Sequence, residues 1–204
     1  MSRTPSTAGA RRTRDRILDA ALELFNERGT AAVTTNHVAA RAGISPGNLY
    51  YWFDDKDEIV QQLYARYVSA HAALWAAGQG SGSPDGATPE ELLARLADGA
   101  VLSRQYAFLA RDLLGLLHAD PVLTVEYLRV RADRLAMFTA LAHDWRARRL
   151  IRPLADGEIA DLVQALWIIA ETWLAFGELD GTSAGADGGA RLLRVVLAPY
   201  LTPS

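Results

Sequence analysis

Residues 35–53, TNHVAARAGISPGNLYYWF, decide the fold of the N-terminal region. Apolar residues recur with helical spacing on both sides of Gly43, which indicates two short helices joined by a tight turn. Ser45 is suited to cap the second helix, and Pro46 falls in its first turn, where the missing N–H costs nothing. The sequence therefore predicts a helix-turn-helix motif over residues 34–53.

The second helix of this motif has two different faces. The predicted buried set is apolar and consists of Val38, Ala42, Ile44 and Leu49. The outward face carries polar, aromatic and small residues, namely Ser45, Gly47, Asn48, Tyr50, Tyr51 and Trp52. Free N–H groups and the positive dipole end at the start of this helix suit a phosphate or a base edge. We therefore take the outward face as the candidate nucleic-acid surface.

The distribution of charge points in the same direction. The chain has a formal net charge of −3, but residues 1–53 carry +3 and the remaining 151 residues carry −6. Five arginines fall within the first sixteen positions: Arg3, Arg11, Arg12, Arg14 and Arg16. A basic N-terminal arm is typical of phosphate contact, with a solvated tail as the alternative.

Helical spacing continues along almost the whole chain, and no segment alternates convincingly as a strand. The sequence therefore predicts an all-α fold of about nine helices. The expected spans are residues 13–28, 34–42, 45–53, 56–75, 89–103, 105–118, 120–149, 156–179 and 190–201. Glycine-rich stretches at 78–89 and 180–189 are expected to be loops.

Composition and missing motifs exclude several classes of function. The chain has no cysteine, so disulfides and zinc–thiolate sites are excluded, and its four histidines are scattered. We expect neither a metal site nor a cofactor. The sequence has no Walker loop, G-x-S-x-G or H-E-x-x-H motif, so we do not expect an enzyme. The polar N-terminus has no apolar signal segment, and the longest apolar stretch, 162–170, is too short for a bilayer, so we expect a cytoplasmic protein without a membrane partner.

Three segments follow one another in a specific order. They are RDRILDAALELFNERG, then T-T-x-x-V-A-x-x-A-G-I-S-x-G-N-L-Y-Y-x-F, then D-K-D-E-I. In order and spacing, residues 13–67 resemble the DNA-binding domain of the TetR family of bacterial repressors. That resemblance covers over a quarter of the chain.

The resemblance implies DNA contacts for particular residues. It assigns phosphate contacts to Thr34 and Thr35 and major-groove positions to Gly47, Asn48, Tyr50 and Tyr51. Lys56, which is the only lysine, would contact a backbone phosphate, with a solvated side chain as the alternative. Trp52 departs from the family pattern, because many relatives have a histidine or another polar residue there. Its ring would pack on sugar-phosphate or brace the helix.

The resemblance also implies two domains, a DNA-binding domain over 11–71 and a helical ligand-binding and dimerisation domain over 72–204. The sequence supports dimerisation independently, since the helix at 156–179 is apolar on nearly all faces and the last helix, at 190–201, has the same character. A helix that is apolar all round needs a second partner besides its own core. We therefore predict a homodimer in which these two helices form half of a four-helix bundle.

A ligand site is predicted among aromatic and polar residues on otherwise apolar helices. The candidates are Tyr67, His71, Trp75, Tyr106, Phe108, His118, Trp167, Glu171 and Trp173. Core packing is the alternative for each aromatic residue. Glu171 is costly to bury without a partner, so it would pair with an arginine, face the dimer seam, or recognise a cationic or hydroxylated ligand.

Together these features predict a DNA-binding transcriptional regulator. The expected form is a repressor that a small-molecule inducer releases from a near-palindromic operator in double-stranded DNA. An activator of the same family is one alternative. The other alternative, from a different class of protein, is a helical protein-interaction module that does not bind DNA. The exposed face at 45–51 and the basic arm argue against it.

Overall fold

The computed structural model describes residues 7–77, 86–179 and 188–202, without the side chains of 75–77. Within these residues the protein is all-α, as predicted, and has nine α-helices. They are α1 (Ala8–Arg28), α2 (Thr35–Arg41), α3 (Pro46–Trp52), α4 (Lys56–Ala77), α5 (Pro89–Gln105), α6 (Ala107–Ala119), α7 (Pro121–Ala147), α8 (Asp156–Leu179) and α9 (Gly188–Leu197). The two predicted glycine-rich loops lie mostly outside the described residues.

Local capping explains where the helices begin and end. α1 begins at Ala8 rather than at residue 13, because the Thr7 side chain accepts a hydrogen bond from the N–H of Ala10 at 3.1 Å. α9 ends at Leu197, earlier than predicted, and one turn of 3-10 helix follows (Ala198–Tyr200). Pro199 lies in that turn and has no N–H with which to continue an α-helix.

The first of two compact units comprises the chain up to Val68 together with Tyr106–Thr124. It therefore includes α6, which the sequence analysis assigned to the C-terminal domain. The reason is local packing, since the rings of Phe25 on α1 and Phe108 on α6 lie 5.3 Å apart and both are fully buried. The core of this unit is apolar and includes Ile17, Leu18, Leu24, Val38, Leu49, Phe53, Ile59 and Leu63.

The second unit comprises Ser69–Gln105 and Val125 onward. Its core is built from α5, α7, α8 and α9, with Leu93, Leu141, Trp145, Ile151, Ile159, Val163, Leu193 and Leu197 among the buried residues. The indole N–H of Trp145 donates to the carbonyl of Ala87 at 2.6 Å, which satisfies a buried polar group. α9 lies so close to α8 that a Cβ at Gly189 would be 2.7 Å from the ring of Trp173.

One helix among the described residues, α8, is long and apolar enough to cross a membrane by length and composition. The helix extends beyond the apolar stretch 162–170 and includes polar residues such as Gln164 and Glu171. In the structure α8 is a core helix of the second unit, with Ile159, Val163 and Trp167 buried. It also carries the carboxylate of Glu171, which is held by a side chain of α7.

Candidate functional site

The two helices of the predicted motif, α2 and α3, are each capped by a side chain from their own sequence. Thr34 accepts from the N–H of His37 at 3.3 Å, and the His37 ring accepts from the N–H of Thr34 at 3.2 Å. Ser45 accepts from the N–H of Asn48 at 3.2 Å, and Pro46 follows it. Gly43 lies between the helices with a φ of 66°, a left-handed conformation that favours glycine. Local residues thus fix the angle of the motif.

The inward face of the motif agrees with the sequence analysis. Val38 and Leu49 are fully buried and Ala42 is buried, while Ile44 is half-buried. Buried apolar groups on both helices hold α3 in one orientation.

The outward face of α3 is formed by Gly47, Asn48, Tyr50 and Tyr51, all of which are exposed. About half of each tyrosine side chain is accessible, 52% for Tyr50 and 51% for Tyr51. The Tyr50 hydroxyl and the Thr35 hydroxyl form a hydrogen bond of 3.0 Å, which joins α2 to α3. A large amphipathic side chain is thereby held in place at the surface before any partner binds.

Trp52 does not lie on this face, and the prediction that it projects outward is wrong. Its side chain is only 8% exposed, because position 52 follows Leu49 by three residues and so shares the buried side of the helix. The ring meets Tyr51 edge to face, with centroids 5.0 Å apart. The indole N–H is buried and has no hydrogen-bond partner among the described residues. Of the two roles considered for Trp52, the structure favours bracing the helix.

Lys56, at the start of α4, lies at the edge of this surface. Its ammonium donates to the carbonyl of Thr30 at 2.8 Å and the side chain is half-buried. An ammonium has three N–H donors, so this bond leaves two for another acceptor. Lys56 therefore braces the turn after α1 through one of its three donors.

The predicted basic arm is only partly available at the surface. Arg11, Arg12 and Arg16 are exposed on α1. Arg14 instead turns inward, where it donates to Gln62 at 2.6 Å and stacks over the ring of Phe53. Arg3 lies outside the described residues.

In the second unit, the predicted ligand residue Glu171 takes part in a part-buried polar contact. The hydroxyl of Tyr127 on α7 donates to the carboxylate of Glu171 on α8 at 2.5 Å. Burial raises the pKa of Glu171, and burial followed by the Glu171 charge raises the pKa of Tyr127. The hydrogen-bond partner of Glu171 is thus a phenol, which was not among the three roles considered for this residue. Arg131 donates to Gln164 at 2.8 Å.

His71, on α4, is a further buried candidate in the second unit. Burial, and secondarily the positive charge of Arg134, lower the pKa of His71 to about 4. Its Nε2 atom lies 3.1 Å from where a Cβ on Gly99 would stand. The imidazole is therefore neutral at physiological pH and packed closely against α5.

The remaining ligand candidates are placed elsewhere. The rings of Tyr67 and Tyr106 lie 5.4 Å apart in the first unit. His118 is also in the first unit, exposed, with its ring bonded to the carbonyl of Leu114 on its own helix at 2.6 Å. The side chain of Trp75 lies outside the described residues.

Three polar residues of α7, Tyr127, Arg131 and Arg134, were not identified from the sequence. α7 carries charged residues along its whole length, so nothing in its pattern separates the inward polar groups from the solvated ones. Tyr127 and Glu171 are 44 positions apart, and only the packing of α7 on α8 brings them together.

The outer faces of α8 and α9 carry large apolar side chains that the described residues leave exposed. They are Ile168, Phe176 and Leu179 on α8 and Leu192 and Val195 on α9, with exposures from 46% for Leu192 to 82% for Leu179. On α8 they follow a helical spacing of eight and then three residues, which places them on one face. The opposite faces of both helices fill the core, so these helices are apolar on two sides as the sequence indicated.

Two family models match the chain. The family described as "Bacterial regulatory proteins, tetR family" matches residues 17–63, and "Bacterial transcriptional repressor" matches residues 82–204. The first match contains both α2 and α3, and the second contains α5 to α9.

Individual proteins are similar over different lengths. The HTH-type transcriptional regulator TtgW of Pseudomonas putida, itself uncharacterized, is 40% identical over 60 residues, which are 29% of this chain and 45% of TtgW. The curated relatives are thus matched over less than half of their length. A TetR-family regulator from Marinobacter aquaeolei is similar over 93% of this chain and 91% of its own, with 30% identity and a TM-score of 0.82. SmeT of Stenotrophomonas maltophilia, solved with triclosan, shares the fold at 22% identity and a TM-score of 0.69, over 95% of this chain and 93% of its own.

A capped helix-turn-helix with an exposed outer face, followed by a larger helical unit, defines the class of helix-turn-helix transcriptional regulators. The chain belongs to the TetR family of bacterial regulatory proteins.

Proposed function

We propose that the protein is a cytoplasmic, dimeric repressor that binds a near-palindromic operator in double-stranded DNA and is released by a small-molecule inducer. The observation that carries the proposal is the outward face of α3, where Asn48, Tyr50 and Tyr51 are exposed on a helix whose orientation is fixed by its caps and its core. The description of the second family model, a bacterial transcriptional repressor, supports repression over activation.

Specific residues take distinct roles in this proposal. Asn48 and Tyr51 read base edges or groove walls, and Gly47 lets the backbone approach the DNA closely. Phosphate contacts, which position the protein without reading sequence, come from the starts of α2, α3 and α4. These contacts are assigned to Thr34, Thr35, Ser45 and Lys56, with Tyr50 held against Thr35.

The dimer is proposed to form through the exposed apolar faces of α8 and α9. A two-fold interface buries the same patch on both copies, so the side chains of Ile168, Phe176 and Val195 would become core residues of the pair. Two helix-turn-helix motifs related by that axis would then read an inverted repeat.

The inducer is proposed to bind in the C-terminal domain, where Trp167, Glu171 and His71 supply polar groups on apolar helices. SmeT, which has the same fold, was solved with triclosan. α4 is continuous from Lys56 to Ala77, so a change in its tilt would alter the separation of the two α3 helices. A hundredfold release requires only about 2.7 kcal/mol of coupling free energy, and the operator must weaken inducer binding by the same factor.

The decisive experiment is selection of bound fragments from random double-stranded DNA, followed by affinity measurements on the selected sequence. We expect an inverted repeat. Asn48→Ala and Tyr51→Ala should each weaken binding by about tenfold or more, as expected for the loss of a base-reading contact, without changing the fold or the dimer. Arg129→Gln, which changes an exposed arginine on α7, is the matched control and should bind with wild-type affinity.

Three outcomes would contradict parts of this proposal. Wild-type affinity in both α3 variants would show that α3 does not read the operator. A selected sequence without an inverted repeat would contradict the two-fold reader. If no salt-dependent binding to sheared genomic DNA is found, the protein-interaction module becomes the better interpretation. An in vitro transcription assay on the selected operator separates repressor from activator.

A further inference from the structure

Thr30, in the turn between α1 and α2, is joined to α6 by two hydrogen bonds. Its N–H and its hydroxyl both donate to the same carboxylate oxygen of Asp112, each at 2.8 Å. Thr30 is only 6% exposed. Bonds to a charged acceptor are stronger than neutral ones, so this carboxylate fixes the position of the turn.

The third polar group of Thr30 continues the connection to α4. Its carbonyl accepts the hydrogen bond from the ammonium of Lys56 at 2.8 Å. All the polar groups of one buried residue are thus occupied, and they connect Asp112 in the middle of α6 to the first residue of α4.

α6 is itself held in a fixed register against α1. Arg111 donates to the carbonyls of Phe25 and Asn26 at 2.6 and 3.3 Å, which occupies acceptors at the end of α1. In return the Asn26 side chain accepts from the N–H of Phe108 in the first turn of α6 at 3.0 Å. These contacts hold Asp112 in place on α6. The position of Asp112 therefore determines the position of Thr30.

We propose that Asp112 is a positioning residue for the DNA-reading surface, acting through Thr30 on the turn before α2 and on the ammonium of Lys56. This inference rests on the proposed function. The connection lies within the first unit and runs from α6 through Thr30 to the start of α4. A displacement of α6 moves Thr30, and with it both the start of the helix-turn-helix and the phosphate-contacting donors of Lys56.

Because Lys56 is the only lysine, its ammonium can be observed directly. Reductive ¹³C-methylation labels this side chain and the terminal amine, and a dimethylammonium keeps its charge and one N–H donor. Asp112→Ala should move the Lys56 resonance towards the position of a solvated lysine. It should also weaken operator binding by about tenfold, which is the loss expected when Lys56 no longer makes one charge-assisted hydrogen bond to a phosphate.

Two further variants separate positioning from general destabilisation. Asp112→Asn keeps a carbonyl oxygen towards Thr30 and should retain most of the wild-type resonance position and affinity. Asp133→Ala removes an exposed aspartate that is paired with Arg129 at 3.0 Å. It should change neither the Lys56 resonance nor the operator affinity. If Asp112→Ala does not fold, the test rests on Asp112→Asn, in which the Lys56 resonance and operator affinity should shift together by a smaller amount.

The inference is overturned if operator affinity falls in an Asp112 variant while the Lys56 resonance stays at its wild-type position. It is equally overturned if Asp112→Ala folds and changes neither quantity. Failure of the wild-type protein to bind any selected operator would overturn the proposed function instead, so the two failures are distinguishable.

Discussion

At the scale of single residues, the buried histidine of α4 makes stability depend on pH. The pKa of His71 is lowered from 6.5 to about 4, first by burial and then by the charge of Arg134. Between these two pH values the His71 imidazole is protonated in the unfolded chain but neutral in the folded protein. Stability should therefore fall as pH decreases through 6.5 towards 4, and the contribution of this group is constant at pH values well above 6.5.

The expected loss is about 2 kcal/mol between pH 7 and pH 5. Chemical denaturation of the wild type and of His71→Gln at several pH values measures it, because only the wild type carries this titration. Surface carboxylates contribute equally to both proteins and cancel in the difference. His118→Gln, which removes an exposed histidine, should keep the wild-type slope, and a His71→Gln slope equal to wild type would contradict the assignment.

Residues that act on their own neighbours in the chain were predictable from the sequence. Ser45 caps a helix through a contact three positions away and Gly43 forms a turn, and the structure places both of them as expected. Trp52 was assigned to the wrong face, although its position three residues after Leu49 places it on the buried side of α3. Tyr127 could not be identified, because its partner, Glu171, belongs to another helix.

At the scale of helices, the close approach of α9 to α8 makes one glycine indispensable. A Cβ at position 189 would lie 2.7 Å from the Trp173 ring, and that buried ring cannot move away easily. We expect Gly189→Ala to cost about 1–3 kcal/mol of unfolding free energy, as overpacking generally does. Thermal and denaturant unfolding measure the loss.

Gly157, near the start of α8, is the matched control. A Cβ there meets nothing within 4 Å, so Gly157→Ala should be neutral or stabilise the helix by up to about 1 kcal/mol. Equal effects of the two substitutions would show that helix propensity, rather than the contact with Trp173, governs position 189.

The number and order of helices followed from apolar spacing and capping residues, but the membership of α6 did not. What assigns it to the first unit is the contact of Phe108 with Phe25 and of Asp112 with Thr30, and pairs separated by more than eighty residues leave no periodic signal.

At the scale of the whole molecule, the exposed apolar faces of α8 and α9 lead to a prediction about assembly. Phe176→Glu places a charge where the proposed dimer would exclude water, so the protein should become monomeric at micromolar concentration. Analytical ultracentrifugation measures this directly. Operator binding should weaken strongly in the same variant, since a monomer engages only one half-site.

Val125, on α7, provides the control for surface hydrophobicity. Its side chain is 71% exposed, close to the 66% of Phe176, but it lies outside the proposed interface. Val125→Glu should remain a dimer. Dimeric Phe176→Glu, or monomeric Val125→Glu, would place the interface elsewhere.

The first unit is built from two separate stretches of the chain, which matters when DNA-binding domains are exchanged between related proteins. A chimaera joined near residue 71 would take α1 to α4 from one parent and α6 from the other. Phe25 would then meet a foreign ring in place of Phe108, and Thr30 would lose the carboxylate of Asp112. A graft that is to keep these contacts must therefore transplant residues 106–124 together with α1 to α4.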